Sequence, residues 1–159
     1  MGKGYGNLYK KARKNTNLTQ EKASEFLGVS RDSLSAYERG ITPVPDDVVC
    51  KMIQFYETEW LAYEHLRQST TVGRKYLPEI HHSDIAESVL KLQKEIDDLN
   101  AIKRDMFSIA CDGLIDNHEL EKWNEVTKET NEVAGAALSL IFTQNKKTSL
   151  DGRLEEVNL

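Results

Sequence analysis

Apolar residues recur at intervals of three and four along most of the chain, which predicts helices throughout. No strand-type alternation persists beyond a few residues. The breaks cluster: Gly40-Ile-Thr-Pro-Val-Pro45, a stretch from Ser69 to Ser83 with no clear apolar period, and Asp112-Gly-Leu-Ile-Asp116. Before the second break the pattern predicts five short helices. The first runs from about Asn7 to Lys14, with Leu8 and Ala12 inward. Thr19 is an N-cap for a second, Gln20 to Leu27, and Gly28 can take the left-handed backbone that ends it. Ser30 caps a third, Arg31 to Arg39, ended by Gly40. A fourth starts at Asp46 with Val48, Val49, Met52, Ile53 and Tyr56 inward, and a fifth runs from about Glu59 to Arg67 on Trp60, Leu61 and Tyr63.

The second half reads as two long helices. Asp84 with Glu87 forms a D-x-x-E capping box, and Ile85, Val89, Leu92, Ile96, Leu99, Ile102, Met106 and Ile109 follow at steps of three and four. Asp116 with Glu119 forms a second box, ahead of Leu120, Trp123, Val126, Val133, Ala137, Leu140 and Ile141. Each helix is expected to span about 28 residues, roughly 42 Å. A five-residue joint makes them an antiparallel hairpin. Leu90, Phe107, Leu138 and Phe142 are apolar residues to spare, more than one partner helix can cover. The fold class expected is therefore all-α. Residues 1–68 form a small five-helix domain, 69–83 a linker, 84–143 the hairpin and 144–159 a polar tail.

Charge changes this picture more than composition does. The net charge of the 159 residues is −5, which at first argues against a polyanion as partner. Yet residues 1–40 carry eight Lys/Arg against four Asp/Glu, while 77–159 carry nine against seventeen. A basic N-terminal segment is joined to an acidic C-terminal one, so the first half is the one suited to a polyanion. Met1 to Lys10 is too polar for a secretory signal, and no run approaches the ~18 apolar residues of a membrane span. The expected location is cytoplasmic, with Cys50 and Cys111 as buried free thiols.

The informative stretch is Leu18-Thr-Gln-Glu-Lys-Ala-Ser-Glu-Phe-Leu-Gly-Val-Ser-Arg-Asp-Ser-Leu-Ser-Ala-Tyr-Glu-Arg-Gly40. Two helices of about eight residues meet at Leu27-Gly28-Val29. Ala23 allows them to cross closely, and Val29 and Leu34 plug the angle between them. This is a helix-turn-helix, whose later helix lies in the DNA major groove. The third helix is polar and short-chained on its outer face. Arg31 can pair bidentately with guanine, and Asp32 can accept from a cytosine amino group. Lys10, Lys11, Lys14 and Lys22 add nonspecific attraction.

Over about Leu8 to Tyr56 the chain resembles the Xre, or Cro/cI-like, family of regulators. The resemblance rests on L-T-Q at 18–20, Ala23, L-G-V-S at 27–30 and Y-E-R-G at 37–40. It implies a DNA-binding domain that works as a dimer on a near-palindromic operator. Ser30, Arg31, Asp32, Ser33 and Ala36 match the positions that face the groove. Gln20, Arg39 and Thr42 match backbone-contacting positions, and Lys22 joins them as a phosphate ligand. Arg13 and Glu38 match a pair that in several relatives forms a buried ion pair. The hairpin resembles those appended to some phage and Firmicutes regulators.

Other signals point to no further chemistry. Asp112 to Glu119 resembles the end of a calcium loop, but Ala110 falls on a ligand position. His81, His82, His118 and Cys111 fit no zinc spacing. Gly2, Gly4 and Gly6 follow no strand, so they are no phosphate loop. No nucleophile, base and orienting group belong together. The expectation is a non-enzymatic repressor without metal or cofactor, binding double-stranded DNA as a homodimer through the hairpin. The alternatives make the hairpin a dock for a toxin or other protein partner, or a ligand sensor.

Overall fold

The computed structural model describes residues 7–143; the polar tail and the N-terminal glycines lie outside them. Among the described residues there are nine helices and no strand. No helix among them is long and apolar enough to cross a membrane. They divide into two compact units, one ending at Ile80 and the other beginning at His81.

In the first unit α1 (Asn7–Asn15), α2 (Gln20–Leu27), α3 (Arg31–Glu38), α4 (Asp46–Tyr56) and α5 (Trp60–Ser69) surround one core. Leu8, Ala12, Ala23, Leu27, Leu34, Val48, Met52, Trp60 and Leu61 fill it. Each helix contributes the residues its period sets on one face, so burial follows from spacing. Cys50 is exposed and not buried, because the face of α4 that meets the core carries Val48, Val49, Met52 and Tyr56. By the helical period, residue 50 falls on the opposite side of α4 from that face.

A sixth helix, α6 (Thr71–Tyr76), occupies the stretch that carries no apolar period. Two local features make it. Thr70 caps it, its hydroxyl accepting from the Gly73 N–H at 2.8 Å. Gly73 lets it lie against the end of α5: a Cβ there would sit 2.3 Å from the Leu66 carbonyl oxygen and 2.6 Å from that of Arg67. The following residues also dock on α5, with the Tyr63 hydroxyl donating to the Pro78 carbonyl at 2.7 Å and Arg67 paired with Glu79.

Tyr56 is buried in the core, yet its hydroxyl has no hydrogen-bond partner among the described residues. Burial pushes the phenol pKa up, so the group stays neutral. An unpaired buried hydroxyl is a desolvation cost without return, typically ~1–3 kcal/mol. Tyr56→Phe is therefore expected to leave the urea midpoint unchanged or raise it. A midpoint lowered by more than the scatter of repeat melts would show that the hydroxyl does bond.

The second unit contains α7 (Ile85–Ala101), α8 (Lys103–Ile109) and α9 (Leu120–Ile141). The Asp84 side chain caps α7, accepting from the Glu87 N–H at 2.9 Å. The expected continuous helix of about 28 residues breaks at Ile102. Asp97, Asp98 and Asn100 crowd the last turn of α7, where acidic side chains oppose the helix dipole and asparagine is a poor helix former. The joint is also longer than five residues. Asp116 to Glu119 forms a turn, the Glu119 side chain accepting from the Asp116 N–H at 3.1 Å, and the helix starts only at Leu120. Cys111 lies exposed in this joint.

The face that α7 buries differs from the apolar stripe. Ser88 and Glu95 are its buried residues, while Ile85, Val89 and Ile96 are exposed. Opposite them α9 buries Val126, Gly135, Ala136 and Ser139. Hydroxyl contacts fix this choice. The Ser88 hydroxyl lies 2.9 Å from those of both Ser83 and Thr143, and the His81 N–H donates to the Ser139 hydroxyl at 2.9 Å. Leu92, Leu99, Ile102 and Met106 are half-buried, and only Ile109 of the stripe is fully inside.

Candidate nucleic-acid interface

The arrangement of α2 and α3 begins with their caps. The Thr19 hydroxyl accepts from the Lys22 N–H at 3.3 Å and opens α2. Gly28, at φ +69°, closes it: the Gly28 N–H donates to the Glu25 carbonyl and the Val29 N–H to that of Ser24. A Cβ at Gly28 would meet nothing within 4 Å, so backbone conformation and not space calls for glycine. The Ser30 hydroxyl then accepts from the Ser33 N–H at 3.0 Å and opens α3. The left-handed Gly28 and the Ser30 cap thus turn the chain sharply within three residues. Ala23 and Leu34 are fully buried and Val29 half-buried in the angle.

Burial of Leu34 and Glu38 sets the orientation of α3 and leaves its first turn outside. Ser30, Arg31 and Asp32 are exposed; Ser33 and Ala36 are half-buried. The hydroxyls of Ser30 and Ser33 lie 2.8 Å apart. Lys22, Arg39 and Thr42 are exposed, and the Arg39 Nε–H donates to the Ser35 carbonyl at 3.2 Å. Lys11 lies over the Trp60 ring, 5.6 Å from its centroid, so its cation is partly engaged within the unit.

Behind this surface Arg13 and Glu38 come together. Both are buried, at 6% and 5% exposure. The pair is bidentate, with Nε to Oε1 at 2.5 Å and Nη2 to Oε2 at 2.9 Å. Arg13 also donates to the Leu18 carbonyl at 2.6 Å. The Glu38 carboxylate holds the Arg13 guanidinium above its ordinary pKa. Gln20 joins this cluster: its amide donates to Glu38 Oε2 at 2.8 Å. One of its amide N–H groups is therefore spoken for, and any phosphate contact falls to the other.

A second ion pair joins α2 and α3 at the surface. Arg31 Nε lies 2.8 Å from Glu21 Oε1, across the opening between α2 and α3. The Glu21 backbone N–H and, after it, the Arg31 cation hold the Glu21 carboxyl below its ordinary pKa. The signal for this pair is only a charge of each sign ten residues apart, which acquires meaning once the turn at Gly28 brings the first turns of both helices together.

Residues 10–61 match the helix-turn-helix family. No curated protein and no solved structure matches the chain. The family is one of DNA-binding regulators, typically non-enzymatic. The match spans α2, α3 and α4 in full and ends within α5. Residues 10–61 thus carry a helix-turn-helix domain of the Cro/cI-like (Xre) kind, a domain type of DNA-binding regulators.

Proposed function

We propose that the protein is a sequence-specific transcriptional repressor that acts as a dimer on a near-palindromic operator. The observation that carries this reading is the exposed first turn of α3, with Arg31 and Asp32 outermost while Leu34 and Glu38 hold the helix to the core. Inserted in the major groove, Ser30, Arg31, Asp32, Ser33 and Ala36 read base edges. Gln20, Lys22, Arg39 and Thr42 fix the register through phosphates. Repression follows by occlusion, because two recognition helices in successive grooves exclude polymerase.

The dimer is supported by the second unit. Ile85, Val89 and Ile96 repeat at steps of four and seven along α7 and are exposed, with Leu90 beside them at 72% exposure. Two such hairpins packed as a four-helix bundle cover this surface.

Selection from a randomised duplex library by the full chain tests the reading. The enriched sequence is expected to be an inverted repeat with half-site centres about 34 Å apart. On that duplex Arg31→Ala should cost about 1–3 kcal/mol, and far less on random DNA. Unchanged operator affinity at fixed salt would remove Arg31 from the reading face. Absence of any enriched sequence would overturn sequence-specific binding itself.

A further inference from the structure

The Arg31–Glu21 pair sits where base reading is proposed, and its placement is specific. Glu21 belongs to the first turn of α2, and Arg31 opens α3. The side chains are 64% (Arg31) and 57% (Glu21) exposed, so the pair is on the solvent side of the angle. An exposed ion pair stabilises a fold little, and α2 and α3 already have caps at Thr19 and Ser30. A carboxylate at a DNA-facing surface also repels phosphate. A contact that adds little stability and opposes nonspecific binding calls for another role.

The geometry supplies one. The carboxylate meets Arg31 at Nε, the guanidinium nitrogen nearest the chain. The two terminal nitrogens, Nη1 and Nη2, form the fork whose spacing matches O6 and N7 of guanine. An arginine held by its Nε end has fewer rotamers to lose when that fork engages a base. Its cation is also partly neutralised towards phosphates. Both effects separate guanine from the backbone as targets, and a lone arginine at this position would take either.

We propose that Glu21 is a specificity-determining positioning residue: it holds the Arg31 guanidinium by Nε so that the terminal fork reads guanine and not phosphate. The proposal rests on Arg31 as a base-reading residue. It makes Glu21 a residue whose loss weakens discrimination while it strengthens binding, a combination that loss of folding does not produce.

The test uses the full chain, the duplex enriched from the randomised library, and variants of that duplex with each guanine replaced in turn by adenine. In Glu21→Ala, guanine preference at one base pair is expected to fall about tenfold, the loss of a large part of one bidentate contact. Affinity for random duplex should rise several-fold at low salt. The slope of log K against log salt should steepen by about 0.9, the signature of one added phosphate contact. In an Arg31→Ala background the same Glu21→Ala change should alter no base preference. Matching urea midpoints of Glu21→Ala and the parent verify that the fold is intact. If Arg31→Ala removes preference at one guanine but Glu21→Ala leaves it undiminished, the positioning role is overturned and Arg31 stands. If Arg31→Ala changes no preference, both fall.

Discussion

Glu38→Ala is expected to destabilise the helix-turn-helix unit by about 3–5 kcal/mol, the penalty for leaving one member of a buried pair without its partner. The guanidinium of Arg13 cannot shed its proton, so it would remain as a buried cation with only the Leu18 carbonyl to receive it. Domains commonly have only ~5–15 kcal/mol to lose. Replacing both residues, as in Arg13→Met with Glu38→Leu, should cost far less, because the desolvation penalty disappears with the charges. The difference between single and double variants is what separates a buried pair from an exposed one, which would contribute under ~1 kcal/mol. Urea melts of the full chain in a Trp123→Phe background let buried Trp60 report the first unit alone. A Glu38→Ala midpoint equal to that of the parent would refute the burial argument.

The second large effect is on operator affinity. Chains ending at Ile80 are expected to be folded, monomeric by light scattering and at least tenfold weaker on a two-half-site duplex. The cut is placed after Ile80 because Pro78 and Glu79 are bonded to α5 and Ile80 is buried. One helix-turn-helix unit has few contacts and therefore low affinity. A dimer makes the second half-site contact intramolecular, and such linkage can raise avidity by roughly 10²–10⁴ without a new contact. Should the shortened chain remain dimeric and bind as tightly as the full chain, the exposed stripe of α7 serves another partner, such as a toxin.

The two halves of the chain differ in how much of them could be read from sequence. In the first, structure is written in local chemistry. Thr19, Gly28 and Ser30 each act within three or four residues, and the helices they bound appear where those residues place them. The apolar spacing of α4 and α5 is equally direct, since a single chain supplies the core they face. α6 was not legible because its position depends on Gly73 meeting carbonyls of α5, a contact between elements. In the second half, spacing identified an apolar stripe but not what covers it. Burial needs a partner surface, and α9 offers α7 small residues and hydroxyls, so Ser88 and Glu95 turn inward in place of Ile85 and Val89. The Glu21–Arg31 contact was hidden for a related reason: it joins two different helices, which meet there only because of the turn at Gly28.

The small, polar seam between α7 and α9 has a calorimetric consequence. Heat capacity rises on unfolding in proportion to newly wetted apolar surface and falls with newly wetted polar surface. A seam in which Ser88, Glu95, Gly135, Ala136 and Ser139 are buried beside Val126 and the half-buried Leu92 and Leu99 wets less apolar area when it opens than the core of Leu27, Leu34, Met52, Trp60 and Leu61. Per residue, the hairpin on its own should therefore contribute the smaller increment, and its amides should exchange with solvent deuterium through openings of lower free energy than those of α1 to α5.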